Sequence, residues 1–153
     1  MTEATITGIA TILSSVLTII VTKYLESDKY INAGKAMKEA VRGNWKGIFN
    51  QTLDDQNITV PIDFNLKVSS WGSITGKAKI IFNNELIHFN IRGGFYLRHF
   101  LKMNYENADR SVTQFGSFVF KLSDTSKKLT GHFVGYGHIS GKVISGPAVL
   151  EKN

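Results

Sequence analysis

Side chains able to do catalytic or metal chemistry are sparse in this sequence. The chain has no cysteine, which excludes disulfides, thiolate nucleophiles and cysteine-based metal sites. Serine, histidine and aspartate are present, but no nucleophile elbow brings them into a catalytic pattern. None of the histidines has the spacing of metal ligands on a helix; they are His88, His99, His132 and His138. We therefore expect no enzyme, no catalytic residues, no metal and no cofactor.

Basic and aromatic side chains that suit an anionic ligand with flat bases are more frequent. The formal net charge is +6, and residues 43–153 carry most of it, with thirteen basic and eight acidic side chains. Arginine and lysine bind phosphates, and aromatic rings stack on bases. Taken singly, each of these side chains is typical of a solvated surface charge or a core aromatic, so only the set predicts a site. The predicted ligand-binding residues are Trp71, Lys77, Lys79, Arg92, Tyr96, Arg98, Tyr136 and Lys142.

The elements that must position these residues are β-strands. From residue 43 onward apolar and polar residues alternate with period 2, most clearly in ITVPIDFNLKV, residues 58–68. Turn signals follow at SSWGSITG, at Asn83-Asn84-Glu85, at Gly93-Gly94, which is typical of a two-residue hairpin, and at Asp124-Thr125-Ser126. Eight strands joined by short connections indicate a sandwich or a barrel. We expect a mainly β protein with a small eight-stranded antiparallel up-and-down β-barrel in residues 43–153.

The glycine-rich stretch GHFVGYGHISGKVISG, residues 131–146, has two interpretations. A phosphate-binding loop would lead into a helix, but no helical pattern follows it. Every second residue from 131 to 137 is instead glycine, except Phe133. Glycine on one face is typical of strands that bend closely around a core. We predict that Gly131, Gly135 and Gly137 face inward and that residues 138–141 form a turn. Trp45 is expected at the barrel floor, and Phe49 in the core.

A long uncharged segment, residues 4–22, precedes this domain. As a helix it would span about 28 Å, close to the roughly 30 Å hydrocarbon core of a bilayer. A secretory signal peptide is the main rival, but the segment has neither a basic start nor a cleavage motif, and a buried soluble helix is the other alternative. We predict a single transmembrane helix over residues 4–25. Basic residues follow the span, so the positive-inside rule places the N-terminus outside and the barrel in the cytoplasm.

Small and hydroxyl side chains form a stripe along this predicted span. In lipid such residues mark faces where helices pack closely, so the stripe favours self-association, although hydroxyl residues are also tolerated in spans. The stripe consists of Thr7, Gly8, Thr11, Ser14, Ser15, Thr18 and Thr22. Residues 26–42 predict a helical connector, which either packs on the domain or the membrane surface or transmits movement to the span.

The whole arrangement resembles the membrane-anchored β-barrel effectors of cyclic-oligonucleotide anti-phage signalling, the CBASS type with STING-like roles. The resemblance rests on the N-terminal span, the basic connector, and a barrel that opens RGNWKGIF and closes KLTGHFVGYGHISGKVISGPAVLEK. It implies a bacterial inner-membrane protein whose barrel binds a cyclic nucleotide made by a partner nucleotide cyclase or synthase. Homo-oligomerisation of the span would then disrupt the lipid bilayer, with no DNA or RNA polymer as partner. Familiar members have two membrane helices, whereas this sequence predicts one.

Three alternatives remain open. A membrane effector of a type III CRISPR system would sense a cyclic oligoadenylate through the same architecture. A membrane-tethered, lipocalin-like binding protein for a small apolar ligand would need an apolar cavity instead of a basic mouth. A constitutively assembled structural membrane subunit would associate through the stripe without any ligand.

Overall fold

A computed structural model of the chain describes residues 33–53, 56–97 and 99–153. The predicted membrane helix with its stripe, the first part of the connector and Arg98 lie outside the described residues. No helix in the described part is long and apolar enough to cross a bilayer. The elements are one helix, α1 (Lys35–Val41), and eight strands: β1 (Gly43–Leu53), β2 (Gln56–Val68), β3 (Ser73–Phe82), β4 (Glu85–Tyr96), β5 (Phe100–Asn107), β6 (Phe115–Leu122), β7 (Lys128–Gly137) and β8 (Lys142–Lys152).

The eight strands form a closed antiparallel barrel in which each strand pairs with the next along the chain. The ring closes between β1 and β8, where the register runs from Trp45 opposite Lys152 to Phe49 opposite Ala148. The predicted mainly β fold with eight antiparallel strands is confirmed, and the barrel replaces the sandwich alternative. Because the sheet closes on itself, the eight strands leave no sheet edge open to pairing with another chain.

Alternating side chains fill the interior, as the period of 2 predicts. Phe118 lies at the centre, 2% exposed, with its ring centroid 5.3 Å from that of Phe49 and 5.4 Å from that of Phe64. The glycines of β7 face inward, as predicted, and they let neighbouring strands approach closely. A Cβ on Gly131 would lie only 1.9 Å from the Val119 carbonyl oxygen, so no other residue fits there without a shift of the backbone.

One end of the barrel is closed by α1. Val41 and Trp45 are fully buried there, and the Trp45 indole Nε1 donates a hydrogen bond of 2.8 Å to the Val41 carbonyl oxygen. Arg42 donates to the Val68 carbonyl oxygen at 2.9 Å, and Lys152 donates to the Ala40 carbonyl oxygen at 2.6 Å. These bonds join the C-terminal end of the helix to the end of β2 and to β8. The expectation that Trp45 forms the barrel floor is confirmed.

The strand directions place the β2–β3, β4–β5 and β6–β7 turns at this closed end. The other four turns surround the opposite end, here called the mouth. At the mouth, Asn83 and Asn84 both have positive φ, 51° and 61°, which is the geometry of a tight hairpin turn and agrees with the turn predicted there. The predicted turn over residues 138–141 also lies at the mouth, between β7 and β8.

Two local predictions need correction. The predicted Gly93-Gly94 hairpin is wrong, because β4 continues to Tyr96, and the turn toward β5 comes only after it, with Leu97 at a φ of 61°. Gly93 serves close packing instead, since a Cβ there would lie 2.1 Å from the Lys102 carbonyl oxygen. In the described part of the connector, the helix begins only after Gly34, which occupies the N-cap.

Candidate ligand-binding cavity

A cavity of about 60 Å³ lies inside the barrel at the mouth. Aliphatic side chains from the strand ends and from the β7–β8 turn form its upper wall, among them Leu53, Ile80, Ile87, Ile139 and Ile144. Every side chain that lines it is uncharged. The cavity therefore combines an apolar wall with access from one end, which is the usual form of a site for a small molecule.

Five aromatic rings form the floor of this cavity: Phe49, Phe89, Tyr105, Phe118 and Phe133. Phe49 and Phe133 are stacked with centroids 4.8 Å apart and an interplanar angle of 18°. Tyr105 and Phe118 are stacked at 4.6 Å and 23°, and Phe89 meets Tyr105 edge to face at 5.3 Å. The inward-facing positions of β1, β4, β5, β6 and β7 supply one ring each. Such rings offer both faces and edges to an aromatic ligand.

Two polar side chains project into this apolar space. Gln51 is the one buried polar residue of the described chain, 8% exposed, and Tyr105 is 9% exposed. Neither side chain hydrogen-bonds to another described residue, yet no fully enclosed side-chain nitrogen or oxygen among the described residues lacks a partner. The Gln51 amide and the Tyr105 hydroxyl are therefore open to the cavity. Burial raises the pKa of Tyr105 to about 12, so its hydroxyl is protonated at neutral pH.

Other polar groups at the rim already have partners. The Gln114 side-chain oxygen accepts a hydrogen bond of 3.0 Å from the Asn107 amide, and the Ser140 hydroxyl donates to the Gly137 carbonyl oxygen at 3.2 Å. The Tyr105 hydroxyl itself lies against glycine. A Cβ on Gly135 would be 1.9 Å from that oxygen, and one on Gly116 would be 2.5 Å away. These two glycines make the room that the hydroxyl occupies.

The predicted ligand-binding residues are distributed over three places. Lys77 and Lys79 of β3 and Arg92 and Tyr96 of β4 are exposed on the outer wall of the barrel. Lys79 forms an ion pair of 3.2 Å with Asp63. A shallow depression of about 270 Å³ on this wall includes Lys77, Lys79 and His88. These residues can meet an anion from outside, but they do not reach the cavity.

The other described members of the predicted set lie at the two ends. Trp71 is 81% exposed in the turn between β2 and β3 at the closed end. Tyr136 reaches the rim of the cavity, where its ring stacks on Phe115 with centroids 6.3 Å apart. Lys142 is exposed at the start of β8, also at the mouth. Of the described members of the predicted set, Tyr136 alone lines the cavity.

Sequence reasoning did not single out Gln51 and Tyr105. Their strand parity was available, because Gln51 shares the inward face of β1 with Phe49, and Tyr105 shares that of β5 with Met103. A polar residue at an inward position is the signal that would have found Gln51.

For a metal, the described residues supply no group of three or more histidine, aspartate or glutamate side chains close enough to bind one.

Neither a known protein family nor the sequence of a curated protein matches the chain. Among solved structures, the barrel is similar to EF1p2_mFAP2b bound to DFHBI, with a TM-score of 0.60 and 10% identity over 75% of this chain and 95% of that chain. It is also similar to a redesigned β-barrel, b11L5F_LGL, with a TM-score of 0.60 and 11% identity over 79% and 98% of the two chains. A third is the redesigned β-barrel mFAP1 bound to DFHBI, with a TM-score of 0.59 and 12% identity over 76% and 98%. At these identities the likeness establishes the fold alone.

Proposed function

We propose that the barrel binds a small, mainly apolar molecule in the cavity at its mouth. The observation that carries this proposal is the lining: aliphatic walls, an aromatic floor and two open polar groups, without a charged side chain. Two of the three similar barrels hold a bound small molecule, DFHBI, which supports the use of this fold for such binding. The proposal corresponds to the lipocalin-like alternative of the sequence analysis.

The energetics of the cavity favour a neutral ligand. Moving about 100 Å² of apolar surface out of water contributes about 2.5 kcal/mol. A phosphate or carboxylate in the same place would lose its hydration without gaining a cation, because the lining is uncharged. A cyclic nucleotide therefore does not suit the cavity, and its phosphates would have to bind elsewhere on the molecule.

A pair of neighbouring residues on β8 provides a direct test. Ile144 faces inward and lines the cavity, whereas Val143 is 73% exposed on the outer surface. We expect toluene to bind the wild-type protein in a calorimetric or NMR titration, and Ile144→Trp to block the mouth and abolish this binding. Val143→Trp, the matched control, should bind toluene as the wild type does. Absence of toluene binding to the wild type, or equal binding to Ile144→Trp, would overturn the proposal.

A second candidate function is the predicted anti-phage effector, in which a cyclic nucleotide drives homo-oligomerisation of the membrane span. The cations on the outer wall favour it. Strand register aligns Lys46, Asp63, Lys79 and His88 in one row, and Asn44, Asn65, Lys77 and Asn90 in the next. Phosphate oxygens could bind the lysines of these rows, with the amides as further donors. The predicted inner-membrane location and cyclase partner belong to this proposal.

This candidate predicts a change in assembly that can be measured on the full chain in detergent. We expect the oligomer size to rise with at least one of a panel of cyclic di-, tri- and tetranucleotides. Lys77→Ala and Arg92→Ala should reduce the response. Lys121→Ala, on the exposed outer face of β6, should leave it unchanged. A size that stays constant with every nucleotide argues against nucleotide sensing and leaves the cavity proposal intact.

A further inference from the structure

We propose that the ligand of the cavity is a neutral, flat aromatic molecule with one hydrogen-bonding group, such as a hydroxyl, an amide or a ring nitrogen, that pairs with Gln51 and Tyr105. The inference rests on the proposed small-molecule function and specifies its ligand class. It distinguishes an aromatic ligand from fatty acids and other charged lipids, and from ligands that are purely aliphatic.

The shape of the floor indicates a flat ligand. Two stacked pairs, Phe49 with Phe133 and Tyr105 with Phe118, lie side by side, because the centroids of Phe49 and Phe118 are only 5.3 Å apart. A ring entering from the mouth meets aromatic faces and edges, with which it makes offset and edge-to-face contacts. An aliphatic chain would gain only the burial of its surface. The floor thus favours an aromatic group at the deep end of the ligand.

The size of the cavity limits what enters to one small ring system. A volume of about 60 Å³ is less than the roughly 150 Å³ of an enclosed apolar cavity that binds benzene. The open end compensates, since part of the ligand can remain between Ile139 and Ile144 at the rim. A long acyl chain or a macrocycle would need far more enclosed volume.

The two polar groups indicate where the ligand carries its own polar atom. A polar group that faces an apolar cavity without a protein partner gains free energy when a ligand supplies the missing hydrogen bond. Tyr105 can donate or accept through its protonated hydroxyl, and the Gln51 amide offers both a donor and an acceptor. Gly116 and Gly135 provide the room for the hydroxyl, because a Cβ on either residue would lie within 2.5 Å of its oxygen. A neutral ligand with a single polar group satisfies one or both.

Phenol and toluene form the matched probe pair for this inference, since they differ in a hydroxyl against a methyl group. Affinities are measured by calorimetry or NMR for the wild type, Tyr105→Phe and Gln51→Met. We expect the preference for phenol relative to toluene to fall about three- to tenfold in at least one variant, the size of one neutral hydrogen bond. Toluene itself should bind all three proteins within about twofold. Tyr96→Phe, which removes an exposed outer hydroxyl, should retain the wild-type preference.

Octanoate and benzoate are the charged probes, and we expect both to bind at least about tenfold more weakly than phenol because the lining has no cation. Urea unfolding of each variant verifies that it is folded. If toluene does not bind the wild type, the proposed function itself is overturned. If both bind, but the phenol preference is the same in the wild type and in both variants, the proposed function stands and the hydrogen-bonding role is refuted. Octanoate that binds more tightly than phenol would refute the ligand class.

Discussion

Replacing Phe118 by alanine should both destabilise the barrel and enlarge the cavity. The Phe118 ring is 2% exposed and contacts the rings of Phe49, Phe64, Tyr105 and Phe120, with centroids 4.6–5.7 Å away. A buried phenylalanine truncated to alanine costs about 3–5 kcal/mol, and each aromatic pair adds about 0.5–1.5 kcal/mol to burial alone. With four such pairs, we expect a loss near the upper end, about 5 kcal/mol.

The assay is urea unfolding with and without an aromatic ligand, followed by circular dichroism. A domain of this size has a free energy of unfolding of roughly 5–15 kcal/mol, so the alanine variant could fail to fold. Phe118→Leu keeps more of the buried side chain and lowers the free energy of unfolding less, so it serves as a second variant. Naphthalene should bind the enlarged cavity of the variant more tightly than the wild-type cavity. At a hundred times its Kd, it should raise the free energy of unfolding of the variant by about 2.7 kcal/mol.

Phe120→Ala is the matched control. Phe120 is the next inward residue of β6, fully buried, and it does not line the cavity. We expect a similar loss of stability, but no gain in naphthalene affinity at the mouth, because Phe118 still forms the floor. The reasoning is refuted if naphthalene stabilises the wild type, Phe118→Ala and Phe120→Ala to the same extent, or if Phe118→Ala costs less than about 1 kcal/mol.

Three further predictions concern stability. Burial raises the pKa of Tyr105 to about 12 from the usual 10.0, so the unfolded chain loses this proton first as the pH rises. The free energy of unfolding should therefore fall between pH 10 and 12 by up to about 2.7 kcal/mol, and Tyr105→Phe should remove this slope in urea unfolding at pH 9 and 11.5. Trp45→Phe leaves the Val41 carbonyl oxygen without its indole donor and should cost about 1–3 kcal/mol in thermal unfolding; an unchanged Tm would contradict the role of this bond. Asn84→Ala should lose about 1 kcal/mol because of its φ of 61°, whereas Asn84→Gly should lose nothing, and equal losses in chemical denaturation would exclude the backbone explanation.

The barrel could be predicted from the sequence because its interior obeys a simple alternation. In β2, every second residue from Val60 to Val68 is buried, and the pattern in residues 58–68 shows this directly. The Gly93-Gly94 error has a physical origin, since glycine suits both a tight turn and a strand pressed closely against its neighbour. The backbone of Lys102 and Met103 on β5 lies too close to Gly93 for a side chain there. Only this close approach, which the structure shows, identifies Gly93 as a strand residue. The real turn, at Leu97, carries no turn-forming residue that could have indicated it.

The site was harder to predict, because alternation gives the face of a strand but not its height in the barrel. Trp45, Phe49 and Gln51 all face inward on β1. Trp45 nevertheless lies at the closed end of the barrel, whereas Gln51 lines the cavity at the mouth. That difference depends on which end α1 closes. The cations of β3 and β4 were identified by type, but their outward direction follows only from the strand register.

Both ends of the described chain lie at the closed end of the barrel. The described chain enters there at Ala33, which is buried, and it returns there at Asn153, whose backbone N–H donates to the Asn44 carbonyl oxygen at 3.0 Å. A support attached to the described chain at Ala33 or at Asn153 would therefore lie at the closed end, opposite the mouth. The mouth turns are then free to change in length and composition without disturbing the attachment.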